Sequence, residues 1–565
     1  MRLSRLSLPF LAAVAVAALA MPLSAEAQFW AKQPGNSGAV AASPLSAPGA
    51  QADTQPDAAG DAQAPAPAGP RTVIREPTLS APPAPGSSLG GSGDTGTDSI
   101  GILPARDTDF GRETWRYTNF TTVLGLMRAL PDRIDSAAEH ELTKNLLVSI
   151  ADAPQGDDRG SRLLSIRVQK LFAMGNVSDA AALARAMPGM PDDADLARTE
   201  VNAELLAGQI ESACIDLRSF AALLTDTVSQ NALTLCRQRD GETIDGGAPP
   251  IDAASLGVAA RIAGVPLSVD IQTGPPADLV AIALDPVASP EARLDGAFAA
   301  GRASALYGEV LAKIFAGSPA GGLLADGGPP ADGAAAASLY QAIAQEGAVE
   351  QRVGLAERGL LSADGISDKV GVAMVAPLRK FEPVPELGGV APRMAILFYT
   401  LGDIEAATPW AELADSSGGG ALLWPYRVLL KQADLGGIGD WEQAAGLDPA
   451  YQARIVTILS AFGITAPPRP LARVIGDDRP EPPFADLLAM DKSAKDLHVG
   501  ETVLRAIGVL GRGGPAIVHP LALRRVLADL DQVSLHSEAH ALAFEAITAA
   551  LFAGRPTGAR VGSGP

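Results

Sequence analysis

Histidine, cysteine and aromatic side chains are all scarce in this chain. Five histidines and two cysteines among 565 residues leave little material for a Cys/His zinc centre or for thiol chemistry. Aromatic residues make up only 4%, and alternating β-branched runs are missing, which argues against sheets. After the first 27 residues no window reaches the ~20 apolar residues of a spanning helix. The best, 541–553, is too short and carries Glu545. There is no Gly-x-Ser-x-Gly elbow, Ser-x-x-Lys, phosphate loop or dinucleotide fingerprint, and Gly418-Gly-Gly420 lacks the following Lys and the preceding strand, so it reads as loop. Positive charge is in deficit as well: the formal net charge of −20 makes a surface that repels nucleic acid and anionic lipid.

The amino terminus is informative. Arg2 and Arg5 precede an apolar run over 8–21, followed by Pro22 and the small-residue site Ala25-Glu26-Ala27. This pattern predicts a secretory signal peptide over 1–27, cut before Gln28, and hence a periplasmic or secreted protein with no membrane span after cleavage. The alternative is an uncleaved signal acting as an inner-membrane anchor. An acylated anchor would need a cysteine at the cut, and Cys214 and Cys236 lie far downstream. Heavy use of Ala, Gly, Pro, Arg and Asp fits a bacterial envelope protein from a GC-rich genome.

Residues 28–109 are Ala, Pro, Gly, Ser, Gln and Asp with few large apolar side chains, and cannot bury enough surface to offset ordering entropy. They read as a disordered tether with a stretched limit on the order of 250 Å. The tail 556–565 reads the same way. Between them helical periodicity takes over. Leu142, Leu146, Leu147 and Ile150 share one face, as do Leu164, Val168, Leu171 and Phe172. Met394, Leu397, Phe398 and Leu401 repeat the pattern, followed by Leu523, Val526, Leu527, Leu530 and Val533. The fold class expected is all-α over 110–555.

The predicted helices are short and separated by Gly, Pro or Asp, as in stacked antiparallel hairpins. Four segments share Gly, a polar residue, an apolar one, two polar or small residues and Ala: Gly175 to Ala180, Gly208 to Ala213, Gly402 to Ala407 and Gly439 to Ala444. Glycine would end one helix, the polar residue cap the next, and alanine admit close packing. At these positions the chain resembles the tetratricopeptide-like helical repeat family. That resemblance implies a superhelical α-solenoid over 110–465 with a protein-binding concave surface, and it does not imply catalysis. A Pro-rich linker over 466–483 would then lead to a C-terminal helical cap or subdomain over 484–555.

Cys214 and Cys236 test the hairpin pattern independently. Their midpoint, Thr225, falls in a predicted turn between a helix ending near Leu223 and one starting near Val228. Equal distance from a turn places two residues opposite each other, so a structural disulfide is expected in an oxidising compartment. Cys-x-x-Cys redox spacing is absent.

The remaining chemistry candidates are weak. His536 and His540 stand one helical turn apart, but Ser537 replaces the Glu of the metalloprotease motif, and a solvated helix face is the better reading. His140-Glu141 ends in Lys144 where the second ligand should be. His498 and Glu501 have ligand spacing, yet Glu501 serves equally as a first-turn acid. Trp410, Trp424 and Trp441 fall near hairpin ends and are expected to fill the core, Trp115 being the other tryptophan of the helical region.

No catalytic, cofactor or metal residue is assigned. The reading is a non-enzymatic scaffold binding another envelope protein. A carboxylate hydrolase of the cell wall or of an exported polymer is the alternative, some wall-cleaving transglycosylases carrying helical solenoids. Export or assembly of polysaccharide is a third possibility.

Overall fold

The computed structural model describes residues 97–103, 110–156, 162–243, 256–267, 269–319, 328–345, 347–464, 473–475 and 477–554. The expected signal peptide, most of the tether and linker, and the tail lie outside these residues. Among the described residues the regular structure is helical, and extended segments meet only at isolated bridges such as Leu103 with Ser149. All of them fall in one compact unit, 82–565. No helix among them is long and apolar enough to cross a membrane.

Three of the four Gly motifs form the expected turn. Gly175, Gly208 and Gly402 follow helices Arg162–Ala173, Ala194–Leu206 and Ala391–Thr400 with φ of +87°, +81° and +70°. This left-handed conformation carries no penalty for glycine. In each, paired backbone bonds close the turn: Gly208 N–H donates to Leu205 O at 3.0 Å and Gln209 N–H to Glu204 O at 2.8 Å, for example. Ala180, Ala213 and Ala407 are fully buried where the next helix packs back. Capping of that helix by the polar residue occurs only at Asp403, whose side chain accepts from Ala406 N–H at 3.1 Å. The fourth match fails, because Gly439 lies inside helix Ile438–Ala445 and Ala444 is exposed.

Residues 97–103, expected to belong to the tether over 28–109, are attached to the helical region. Asp98, fully buried, accepts the Leu164 N–H at 2.8 Å and so caps helix Arg162–Ala173 from elsewhere in the chain. Ile102 N–H donates to Val148 O at 2.9 Å. Arg167, 1% exposed, donates to Leu147 O and Ser149 O, collecting carbonyls at the end of helix Ala137–Val148. Composition hid this because seven residues carry the attachment within a polar stretch.

Residues 484–553, expected as a terminal cap, take part in the main core. Helix His536–Ala553 packs on Ala137–Val148, Ala391–Thr400, Pro449–Leu459 and Pro520–Gln532. Eleven of its eighteen residues are buried. Its Phe544 ring lies 5.8 Å from Tyr399 and 5.7 Å from Tyr426. One turn on, the Thr548 hydroxyl meets those of Thr400 and Tyr426 at 2.7 Å each. The tryptophans fill the core as expected, Trp424 and Trp441 lying 5.3 Å apart and 4% and 0% exposed.

A second, smaller core sits beside the main one. Helix Ala194–Leu206 turns Leu196, Ala203 and Leu206 to the main core and Ala197, Val201 and Leu205 to the small one. The small core is completed by Ala213, Leu217 and Phe220 of the Ile210–Ser219 stretch and Ala232 and Leu233 of Thr227–Arg239. Cys214 and Cys236 form the expected disulfide across it, with Cα atoms 5.6 Å apart. So small an apolar cluster gains disproportionately from a covalent staple. Replacing both cysteines by alanine is expected to cost about 3 kcal/mol, read in a denaturant titration. A wild-type protein whose midpoint does not change on reduction would refute a structural role for the bond.

Candidate functional site

Two groups of carboxylates stand out, one inside the main core and one at the edge of the small core. The first is built around residues 135–140, where helix Ala137–Val148 begins. Asp135 N–H donates to Arg512 O at 2.9 Å, Ala137 N–H donates to Ser367 O at 2.8 Å, and Asp135 O accepts the Ser304 hydroxyl at 2.7 Å. Glu545 Oε2 accepts from the Ser136 hydroxyl at 2.9 Å and from Ala138 N–H at 3.2 Å. Ser136 in turn caps the helix through Glu139 N–H at 3.2 Å. Gly514 has φ +65° and approaches so closely that a Cβ there would lie 2.4 Å from that of Ser136.

Glu139 and Glu545 are 0% and 1% exposed. Burial pushes the Glu545 carboxyl up to about 8, opposed by its two hydrogen bonds. Burial, then the neighbouring Glu545 charge, also holds Glu139 well above the usual carboxylate range. Two such acids resemble the acid and base of a hydrolase in chemistry, but both are walled in by packed helices. The Glu545 carboxyl caps a helix and joins distant segments, and the Glu139 side chain lies buried beside it.

The second group joins Glu200 and Glu204, one turn apart on helix Ala194–Leu206, to Asp216 on helix Ile210–Ser219. One oxygen from each lies within 4.8 Å of the others. Glu200 is 5% exposed, Glu204 is fully buried and Asp216 is half-buried. Arg185 reaches Glu204 Oε1 at 3.3 Å and Gln209 Oε1 at 2.7 Å. Glu204 Oε2 has no hydrogen-bond donor. Burial raises the Glu200 carboxyl to about 7, reinforced by Asp216 and opposed by Arg185. Burial and Asp216 together raise Glu204 to about 8. Such a group can share a proton or hold a cation that prefers oxygen ligands. The nearby cavity lined by Arg198, Val201, Leu217 and Leu224 is about 20 Å³, room for one water rather than an organic substrate.

The sequence-predicted candidates do not converge. His536 is an exposed partner of Asp531 at 2.6 Å, whereas His540 is half-buried against the Phe462 ring at 5.2 Å. His140 is buried against Met174 O, and burial lowers it to about 3. Glu141 pairs with Lys144. Glu501 sits in the first turn of helix Val499–Leu510, between His498 at 3.4 Å and Arg505 at 2.8 Å.

Glu200, Glu204 and Asp216 were not singled out by the sequence reading, yet a signal exists. Glu200 and Asp216 lie eight residues on either side of the Gly208 turn, the same symmetry that pairs the cysteines. Comparison with protein-family models, curated proteins and solved structures finds no match.

The raised Glu545 carboxyl implies a pH dependence. Folded, it keeps its proton up to about pH 8, while the unfolded chain releases it near 4.5. The stabilisation is complete below the lower value and lost as pH rises through the upper one. His140, lowered by burial, acts oppositely, but only below about pH 6.5. Stability should therefore fall from pH 6.5 to pH 8 by about 2 kcal/mol through Glu545, at 1.36 kcal/mol per unit. Glu545→Gln keeps an acceptor oxygen and should remove that part of the fall in thermal melts, the slope that is left belonging to Glu139, Glu200 and Glu204, which burial also raises. An unchanged slope would sink the assignment.

Proposed function

We propose that this chain is an exported, non-enzymatic helical scaffold that binds another protein of the bacterial envelope, in the periplasm or beyond it. The helix pairs are read as tetratricopeptide-like hairpins, a superhelical array in origin, with the amino-terminal segment as leader and tether. The leader pattern at 1–27 supports export, and the Cys214–Cys236 disulfide fits an oxidising compartment.

The observation that carries the binding role is an apolar ridge outside the core. Phe484 and Leu488, one turn apart on helix Phe484–Lys495, are 78% and 55% exposed. Two neighbouring large apolar side chains left in water on one helix face fit a contact with another protein. The buried position of Glu139 and Glu545 favours this reading over the hydrolase, whose carboxyls must touch a polymer.

The test is capture of the mature protein from its native envelope after mild crosslinking, beside a Phe484→Asp/Leu488→Asp variant. Both residues lie outside the core, so the variant should melt within about 2 °C of wild type. A near-stoichiometric protein partner recovered with wild type and lost with the variant is the expected result. Recovery of wall fragments alone, or release of soluble fragments from purified wall, would overturn the scaffold reading in favour of the hydrolase.

A further inference from the structure

We propose that Glu200, Glu204 and Asp216 form a binding site for a hard divalent cation of the calcium type, which staples the small core opposite its disulfide. This inference is independent of the scaffold reading. Its first support is geometric. Three oxygens within 4.8 Å of one another lie no more than about 2.8 Å from a common centre, so a few tenths of an ångström of side-chain closure brings all three within the 2.3–2.6 Å bonds of calcium. The donors are all carboxylate oxygens, which select calcium, magnesium or manganese over zinc or copper. Calcium tolerates irregular oxygen geometry, which suits three side chains drawn from two helices better than the near-ideal octahedron that magnesium demands.

The second support is the state of the individual side chains. Glu200 is 5% exposed. Glu204 is fully buried and spends one oxygen on Arg185, while Oε2 has no N–H donor and faces the Asp216 carboxyl, with which it can only share a proton. Buried carboxylate oxygens are ordinarily hydrogen-bonded, and each one left alone costs on the order of 1–3 kcal/mol. Arg185 supplies one positive charge against three carboxyls. When all three are ionised, two negative charges remain uncompensated in a half-desolvated pocket, and a divalent ion cancels both.

The location gives the ion a structural task. Glu200 and Glu204 belong to the helix shared by the two cores, and Asp216 to the next, two residues beyond Cys214. A bound ion ties Ala194–Leu206 to Ile210–Ser219, and the disulfide ties Ile210–Ser219 to Thr227–Arg239. The three helices are then linked in series.

The experiment uses the full mature chain stripped with EGTA, at pH 8.5, with calcium chloride alone as the probe. Calcium is titrated by calorimetry, and thermal unfolding is followed with and without 5 mM of the ion. Wild type should show one saturable site and a rise in Tm of several degrees. Glu200→Gln and Asp216→Asn, made separately, should each weaken binding at least about tenfold. Without calcium both should melt at or above the stripped wild type, because they relieve repulsion. That comparison separates a lost ligand from a damaged fold. No saturable heat in wild type, or an equal Tm response in wild type and both variants, would overturn the proposal. Magnesium chloride at the same concentration should raise Tm less; an equal or larger rise would overturn the calcium preference.

Discussion

Everything else in the main core depends on how helix Ala137–Val148 is started. Its first turn presents N–H groups that the helix cannot satisfy itself, and they lie where water does not reach. Ser136 supplies one acceptor, and Glu545, 409 residues away in the chain, supplies another. Arg512, Ser367 and Ser304 bind the same few residues from three further directions. Removing the side chain of Ser136, Ser304 or Glu545 leaves buried polar groups without partners, which costs more than the bond itself contributes. The beginning and end of the helical region are thus held together by polar geometry, within an apolar core that would tolerate many arrangements.

The same logic recurs wherever charge enters the interior. Arg261 meets Asp285 at 2.9 Å and Arg302 meets Asp368 at 2.6 Å, each pair with little exposure. Arg454 donates to the carbonyls of Pro515 and Ala516. Buried pairs of this kind add little net stability compared with apolar replacements. They discriminate between packings instead. In a chain where alanine and leucine could slide past one another, an arginine with a single set of acceptors fixes which turn of one helix faces which turn of the next.

Local features were legible because they depend on neighbours in sequence. The glycine turns at 175, 208 and 402 and the Cys214–Cys236 pair follow from helix ends and from distances counted along the chain. Helix faces such as Leu523, Val526, Leu527 and Leu530 were plain from their spacing. What was not legible depends on which distant segments meet. Nothing in the composition around Asp98 announces that it caps a helix beginning at Arg162. Glu545 looked like an interruption in an apolar run, because its partner lies at the other end of the fold. The Glu200, Glu204 and Asp216 group falls between these cases: its turn was recognised, but carboxylates on a helix are ordinarily solvated, and their burial emerges only when the small core packs beneath them.

The central place of helix His536–Ala553 has a consequence for how the molecule is made. A ribosome delivers this helix after Ala137–Val148, Ala391–Thr400 and Pro449–Leu459, yet all three pack against it. Early helices can form pairs through their glycine turns, but their shared interior stays open until His536–Ala553 emerges. A chain ordered in this way remains loosely assembled until that helix has emerged. Slow closure is a hazard in a crowded cell.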